Sequence, residues 1–138
     1  MQLSFSHTPE PTICGMNIFE FTPTKMTELF GEPAEVELAD NPMFEEGVNT
    51  FYYNSPQVSF YFHVNKLVTI SVMDPEFMLF ERKIFSLREQ EIIQLFAENG
   101  YANYELDADW GEKQLIFEEA GVTVFFDNQL VSEIFIDV

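Results

Sequence analysis

Between residues 51 and 73 apolar side chains fall on alternate positions. Phe51 and Tyr53 are followed by Val58, Phe60 and Phe62, and then by Val68, Ile70 and Val72. A period of two is the mark of strands with one buried face. Asn54-Ser55-Pro56 and Asn65-Lys66 divide the run into strands over 51–54, 58–64 and 67–73. The pattern returns over 114–118, 122–126 and 130–138, with Ala120-Gly121 and Asp127-Asn128 as the turns. Upstream of each meander the period lengthens to that of a helix. Thr22-Pro23 reads as an N-cap followed by a first-turn proline, Met26, Leu29 and Phe30 share one face, and Gly31 with Pro33 ends the helix. In the second stretch Ser86 and Glu89 have capping-box spacing, Ile92, Ile93, Leu95 and Phe96 form the apolar stripe, and Asn99-Gly100 is the stop.

The two stretches align with each other. At an offset of 66, Pro9-Glu10 falls on Pro75-Glu76, Ile18-Phe19 on Ile84-Phe85, and Leu29-Phe30 on Leu95-Phe96. The offset drops to 64 in the meanders, where Val58, Phe60 and Phe62 fall on Val122, Val124 and Phe126. One further residue is lost before Asn65-Lys66-Leu67-Val68 falls on Asn128-Gln129-Leu130-Val131. The predicted fold is α+β, a single domain over 1–138 built from two tandem β-α-β-β-type repeats, about 3–73 and 69–138. Antiparallel sheet is expected, with the short helices packed on one face. Segment 3–6 precedes the first repeat as 69–72 precedes the second, and is expected to open the sheet.

Alternation also predicts a second, outer face. It carries Tyr52, Ser59, Tyr61, His63 and Thr69 in the first meander, and Ile116, Thr123, Phe125, Val131, Glu133 and Phe135 in the second. This latter set is too apolar for a plainly solvated surface. A short helix ending in Leu29-Phe30-Gly31-Glu32-Pro33, then an aromatic-rich three-stranded meander, twice over, resembles the tandem repeat of β-lactamase inhibitor proteins. It is similar also to the small lipoproteins of outer-membrane assembly. The resemblance implies that one sheet face binds another protein, through Tyr52, Tyr61, Phe125 and Phe135. His63 and Ile116 complete the expected partner-binding set.

Charge narrows the choice of partner. Six Lys and Arg stand against 24 Asp and Glu, a net charge of −18, while 16 Phe show that the acidic groups coat a packed interior. The nearest approach to a basic cluster, Arg82, Lys83 and Arg88, is diluted by Glu81, Glu89 and Glu91. Nucleic acid and anionic membrane are therefore excluded as partners, and a basic protein has the favoured sign. Self-association through the aromatic face is the alternative. The single Cys14 rules out an intramolecular disulfide, and the first residues lack the basic and apolar regions of a signal peptide. The longest uncharged run, 47–65, holds Asn49, Asn54, Pro56 and Gln57 and is no membrane helix. A cytoplasmic, bacterial protein is expected.

Catalytic chemistry is hard to assemble from these residues. Only His7 and His63 offer a base near neutral pH, and Cys14 has no basic neighbour in sequence. Two histidines and one cysteine give no zinc set of usual spacing. Asp107, Asp109 and Gly111 resemble the start of a calcium loop, but the glycine is fifth rather than sixth. Asp40, Glu45 and Glu46 occupy the matching loop of the first repeat. No catalytic residue, metal or cofactor is assigned. The expected function is a non-catalytic protein-binding module of inhibitor, immunity or adaptor type. The alternative is a small-ligand or divalent-metal domain, or an enzyme that uses carboxylates.

Overall fold

The computed structural model describes residues 2–8, 10–39, 48–108 and 112–138. Its fold is α+β and mostly sheet. In the first half, β1 (Ser4–Ser6) leads to a tight hairpin of β2 (Thr12–Ile13) and β3 (Met16–Asn17), then α1 (Pro23–Phe30). The chain continues through β4 (Glu35–Ala39), β5 (Val48–Asn54), β6 (Gln57–His63) and β7 (Lys66–Val72). The second half runs through the hairpin of β8 (Met78–Leu79) and β9 (Arg82–Lys83), then α2 (Glu89–Glu98). It ends with β10 (Glu105–Asp107), β11 (Lys113–Phe117), β12 (Val122–Asp127) and β13 (Leu130–Asp137).

The two meanders join into one eight-stranded sheet, ordered β10-β11-β12-β13-β7-β6-β5-β4. The seam is the antiparallel pair β13 and β7, with Ile134 opposite Val72 and Ile136 opposite Ile70. Each meander has four strands rather than three, because β4 and β10 form the outer edges. Segment 3–6 does not open this sheet, contrary to expectation. β1 lies in a separate five-stranded sheet, ordered β3-β2-β1-β8-β9, where it runs parallel to β8. There β1 is hydrogen-bonded on both sides, to β2 and to β8, whereas as a terminal strand of the large sheet it would leave one edge open. Its buried Leu3 and Phe5 join Ile13 and Leu79 in the common core.

Both helices cover the same face of the large sheet. Phe30 of α1 lies 5.2 Å from Phe60, and Phe96 of α2 stacks on Phe117 with ring centroids 3.8 Å apart. The inward residues Val58, Phe60, Phe62, Ile70, Val72, Leu115, Phe117, Val122, Val124, Phe126, Ile134 and Ile136 are all buried, as alternation predicts. Each buried aromatic or branched side chain stabilises the fold by roughly 1.5–3 kcal/mol.

Alternation breaks at one equivalent place in each half. The register shifts after Tyr61–Thr69, so that Phe62 pairs with Leu67, and after Phe125–Glu133, so that Phe126 pairs with Val131. One extra residue, Val68 or Ser132, is bulged out, and Leu67 and Val131 turn inward. Val131 is therefore buried rather than on the outer face, and Val68 is half-exposed rather than inward. The same bulges keep the offset between the halves at 64 to the end. The turns before these strands are Val64-Asn65 and Asn128-Gln129, all four residues at positive φ, as two-residue hairpins with matching twist require.

α1 begins as expected: the Lys25 N–H donates to Thr22 Oγ1 at 3.2 Å. α2 begins two residues later than Ser86 suggested. Its first cap is Arg88, whose N–H donates to the Glu91 carboxylate at 3.1 Å, while the Ser86 hydroxyl donates to the Lys83 carbonyl in a preceding 3-10 turn. The cap spacing survives, shifted by two, because Ile84–Ser86 closes its own turn first.

Candidate functional site: the outer sheet face

Cross-strand pairing on the outer face forms one row through all eight strands. It starts at Glu35 on β4 and passes Tyr52, Ser59 and Ser71. Across the seam it continues through Phe135, Thr123 and Ile116 to Glu105 on β10. A shorter row places Glu37, Thr50, Tyr61, Thr69 and Asp137 side by side. The other runs from Glu133 through Phe125 and Gln114 to Asp107. Aromatic, branched and hydroxyl side chains thus fill the middle, and carboxylates stand at both edges and along the seam.

The polar groups are tied to one another. The Ser71 hydroxyl donates to Glu133 Oε2 at 2.6 Å, and Ser71 is buried although it faces outward. The Tyr52 hydroxyl donates to Glu37 Oε2 at 3.1 Å, and Thr69 Oγ1 lies 3.3 Å from Asp137 Oδ1. Phe125 and Phe135 meet edge to face, 5.3 Å between centroids. Desolvation, with the charges of Glu133 and Glu37, pushes the Tyr61 phenol above its ordinary pKa. Desolvation and the hydrogen bond to Glu37 do the same for Tyr52. Both stay protonated donors across the physiological range. Of the six Lys and Arg, only Lys66, paired with His63 at one end of β6, lies on this face. Lys113 points inward and forms a 2.7 Å ion pair with Glu89 of α2. The face can therefore offer aromatic planes, phenol donors and carboxylate acceptors, a set suited to guanidinium and ammonium groups.

The structure brings Tyr52, Tyr61, Ile116, Phe125 and Phe135 onto one continuous surface, each half-exposed. His63 belongs to the same face but lies at its end. Cys14 stands in a hairpin turn, where burial raises its thiol pKa and Sγ lies 3.7 Å from the Gln2 carbonyl. Among the described residues no three of His, Cys, Asp and Glu converge as a metal-ligand set. Asp107 ends an edge strand rather than leaving a helix. Asp109 and Gly111, like Asp40, Glu45 and Glu46, lie outside the described residues.

A second feature had no sequence signal. His7 packs among Phe5, Phe80 and Tyr101, with centroids 5.0–5.2 Å away, beside a cleft of about 610 Å³. Its Nε2 donates to the Ala120 carbonyl at 2.9 Å, and burial lowers its pKa. Nδ1 is buried with no hydrogen-bond partner among the described residues. With Nε2 held by the Ala120 carbonyl and Nδ1 buried, His7 ties the two halves together. Only the fold brings residues so far apart in sequence to one place.

No protein-family model matches the chain, and no curated protein does. Two solved structures are similar. One is an extracellular protein containing an SCP domain from Bacillus anthracis, with TM-score 0.57 and 15% identity over 83% of this chain. The match spans 42% of that protein, so this chain corresponds to less than half of it. The other is a DUF4309 family protein (YjgB) from Bacillus subtilis, with TM-score 0.55, 13% identity, and 90% and 82% of the two chains covered. Neither is a β-lactamase inhibitor or an outer-membrane assembly lipoprotein. At these identities what the chain shares with both proteins is the fold.

Proposed function

We propose that this chain is a non-catalytic protein-binding module whose outer sheet face receives a basic protein. The observation that supports it is the set of half-exposed aromatic side chains on one sheet face, bordered by carboxylates. Aromatic side chains bury large area at low rotamer cost, and the surrounding charge selects the partner and speeds encounter. The net charge of −18 gives the whole molecule the same sign as its face. This reading includes a reducing, cytoplasmic setting, which the lone half-buried Cys14 favours; the B. anthracis match is an extracellular protein, and cell fractionation decides between them. A bacterial source is supported by two similar structures from Bacillus.

The test is capture from the source cell's lysate, identification of the bound protein, and pairwise titration of the purified pair. A basic partner whose affinity falls with salt and is lost in Tyr61→Glu/Phe125→Glu supports the reading. A partner held equally well by the double variant, or self-association alone, overturns it.

A further inference from the structure

We propose that the free edge of β4 docks an extended segment of a second protein, one in which Lys or Arg alternates with apolar residues. The proposal deepens the reading of the chain as a binding module and rests on it. β4 is the last strand of the eight-stranded sheet, and among the described residues nothing pairs with its outer side. Such an edge presents a row of unpaired N–H and C=O groups, the template for adding a strand.

The side chains of β4 then specify what is added. Glu35 and Glu37 are exposed on the outer face, in rows with Tyr52 and Thr50. Val36 and Leu38 point to the opposite face and are 58% and 67% exposed, beside the half-buried Phe51. An incoming strand must therefore match carboxylates on one side and an apolar strip on the other. Alternating basic and apolar residues do both, since cross-strand neighbours of opposite charge attract and apolar pairs bury area.

A second copy of this chain does not fit. Antiparallel pairing of β4 with itself sets Glu35 and Glu37 of one copy against those of the other, and like charges directly opposite destabilise. The same carboxylates that block self-association thus favour a basic partner. β10, at the other edge, repeats the pattern with Glu105, Leu106 and Asp107 but spans only three residues against five. β4 offers the longer template.

The experiment titrates the full chain with a short fluorescent peptide alternating Lys and Val, a peptide of the same composition with its Lys and Val in separate blocks, and one alternating Glu and Val. The alternating Lys/Val peptide should bind about tenfold more tightly than the block peptide, and Glu35→Lys/Glu37→Lys should reverse the preference toward the Glu/Val peptide. Hydrogen exchange should show new protection at the β4 amides when the first peptide is bound. Equal affinity for alternating and block peptides, or unchanged β4 exchange, reduces the attraction to diffuse charge and overturns the proposal. If the charge-reversed variant misfolds, the peptide comparison and the exchange on the native chain still decide. Loss of a face partner is read on that partner and loss of the edge on the peptide, so either reading can fail alone.

Discussion

The two halves of the large sheet share an inner face and differ on the outer one. Inward, Val58, Ile70 and Val72 correspond to Val122, Ile134 and Ile136, and all are buried. Outward, Tyr52, Tyr61, Thr69 and Ser71 correspond to Ile116, Phe125, Glu133 and Phe135. The first half thus presents phenols and hydroxyls where the second presents an isoleucine, two phenyl rings and one carboxylate. The inner positions answer to the same demand, dense packing under a short helix, and tolerate little variety. The outer positions answer only to cross-strand neighbours and to whatever the face meets. Across the seam each half completes the other: Ser71 of the first holds Glu133 of the second.

Substitutions at matched positions sharpen this comparison. The largest effect is expected for Phe117→Ala, which empties the stack on Phe96 and should cost about 3–5 kcal/mol in urea unfolding. Tyr53→Ala, its counterpart, should cost less, about 2–4 kcal/mol, because Tyr53 is slightly exposed where Phe117 is fully buried. The reverse order would mean that the second core is the looser one.

Next comes Gly121→Ala. Gly121 has φ +68, and a Cβ there would stand 2.8 Å from the Asp137 carbonyl oxygen, which belongs to fixed backbone. A loss of about 2–3 kcal/mol is expected, against about 1 kcal/mol for Gly15→Ala, whose surroundings are open. Equal losses would show that strain at positive φ alone sets the cost.

The helix starts should differ less. Thr22→Ala removes a side-chain cap from α1 and should cost about 1 kcal/mol; Glu91→Ala removes only a reciprocal bond at α2 and should cost about 0.5 kcal/mol. Thermal unfolding of the two variants at one pH is the check.

The smallest effect is a pH dependence. Burial lowers the pKa of His7 in the folded protein, so the unfolded chain takes up a proton first as pH falls through about 6.5. The stability that His7 contributes is complete above that value and declines as pH drops toward its folded pKa. His7→Gln should flatten the melting-temperature profile on that acid side. An unchanged profile would mean that His7 does not titrate differently in the two states.

The inner face, both helices and most of the outer face were legible in the sequence, because period two and period 3.6 are imposed by geometry within each element. The bulges were not, since Val68 and Ser132 carry no local mark and arise from fitting register to neighbouring strands. β4 and β10 carry no assignment in the sequence reading, although the alternation of acid with Val36, Leu38 and Leu106 was the available signal. The cluster about His7 has no local signal, joining residue 7 to residues 80, 101 and 120.

What the sequence by itself determined is most of the side chains that the two meanders and the helices bury, because alternation and helical spacing act within a few residues. Only the tertiary structure decided that the two meanders fuse through β13 and β7, that β1 leaves the large sheet, and that the aromatic positions form one surface with acidic edges. Those outcomes depend on backbone hydrogen bonds between segments far apart in the chain, whose choice of partner no local pattern encodes.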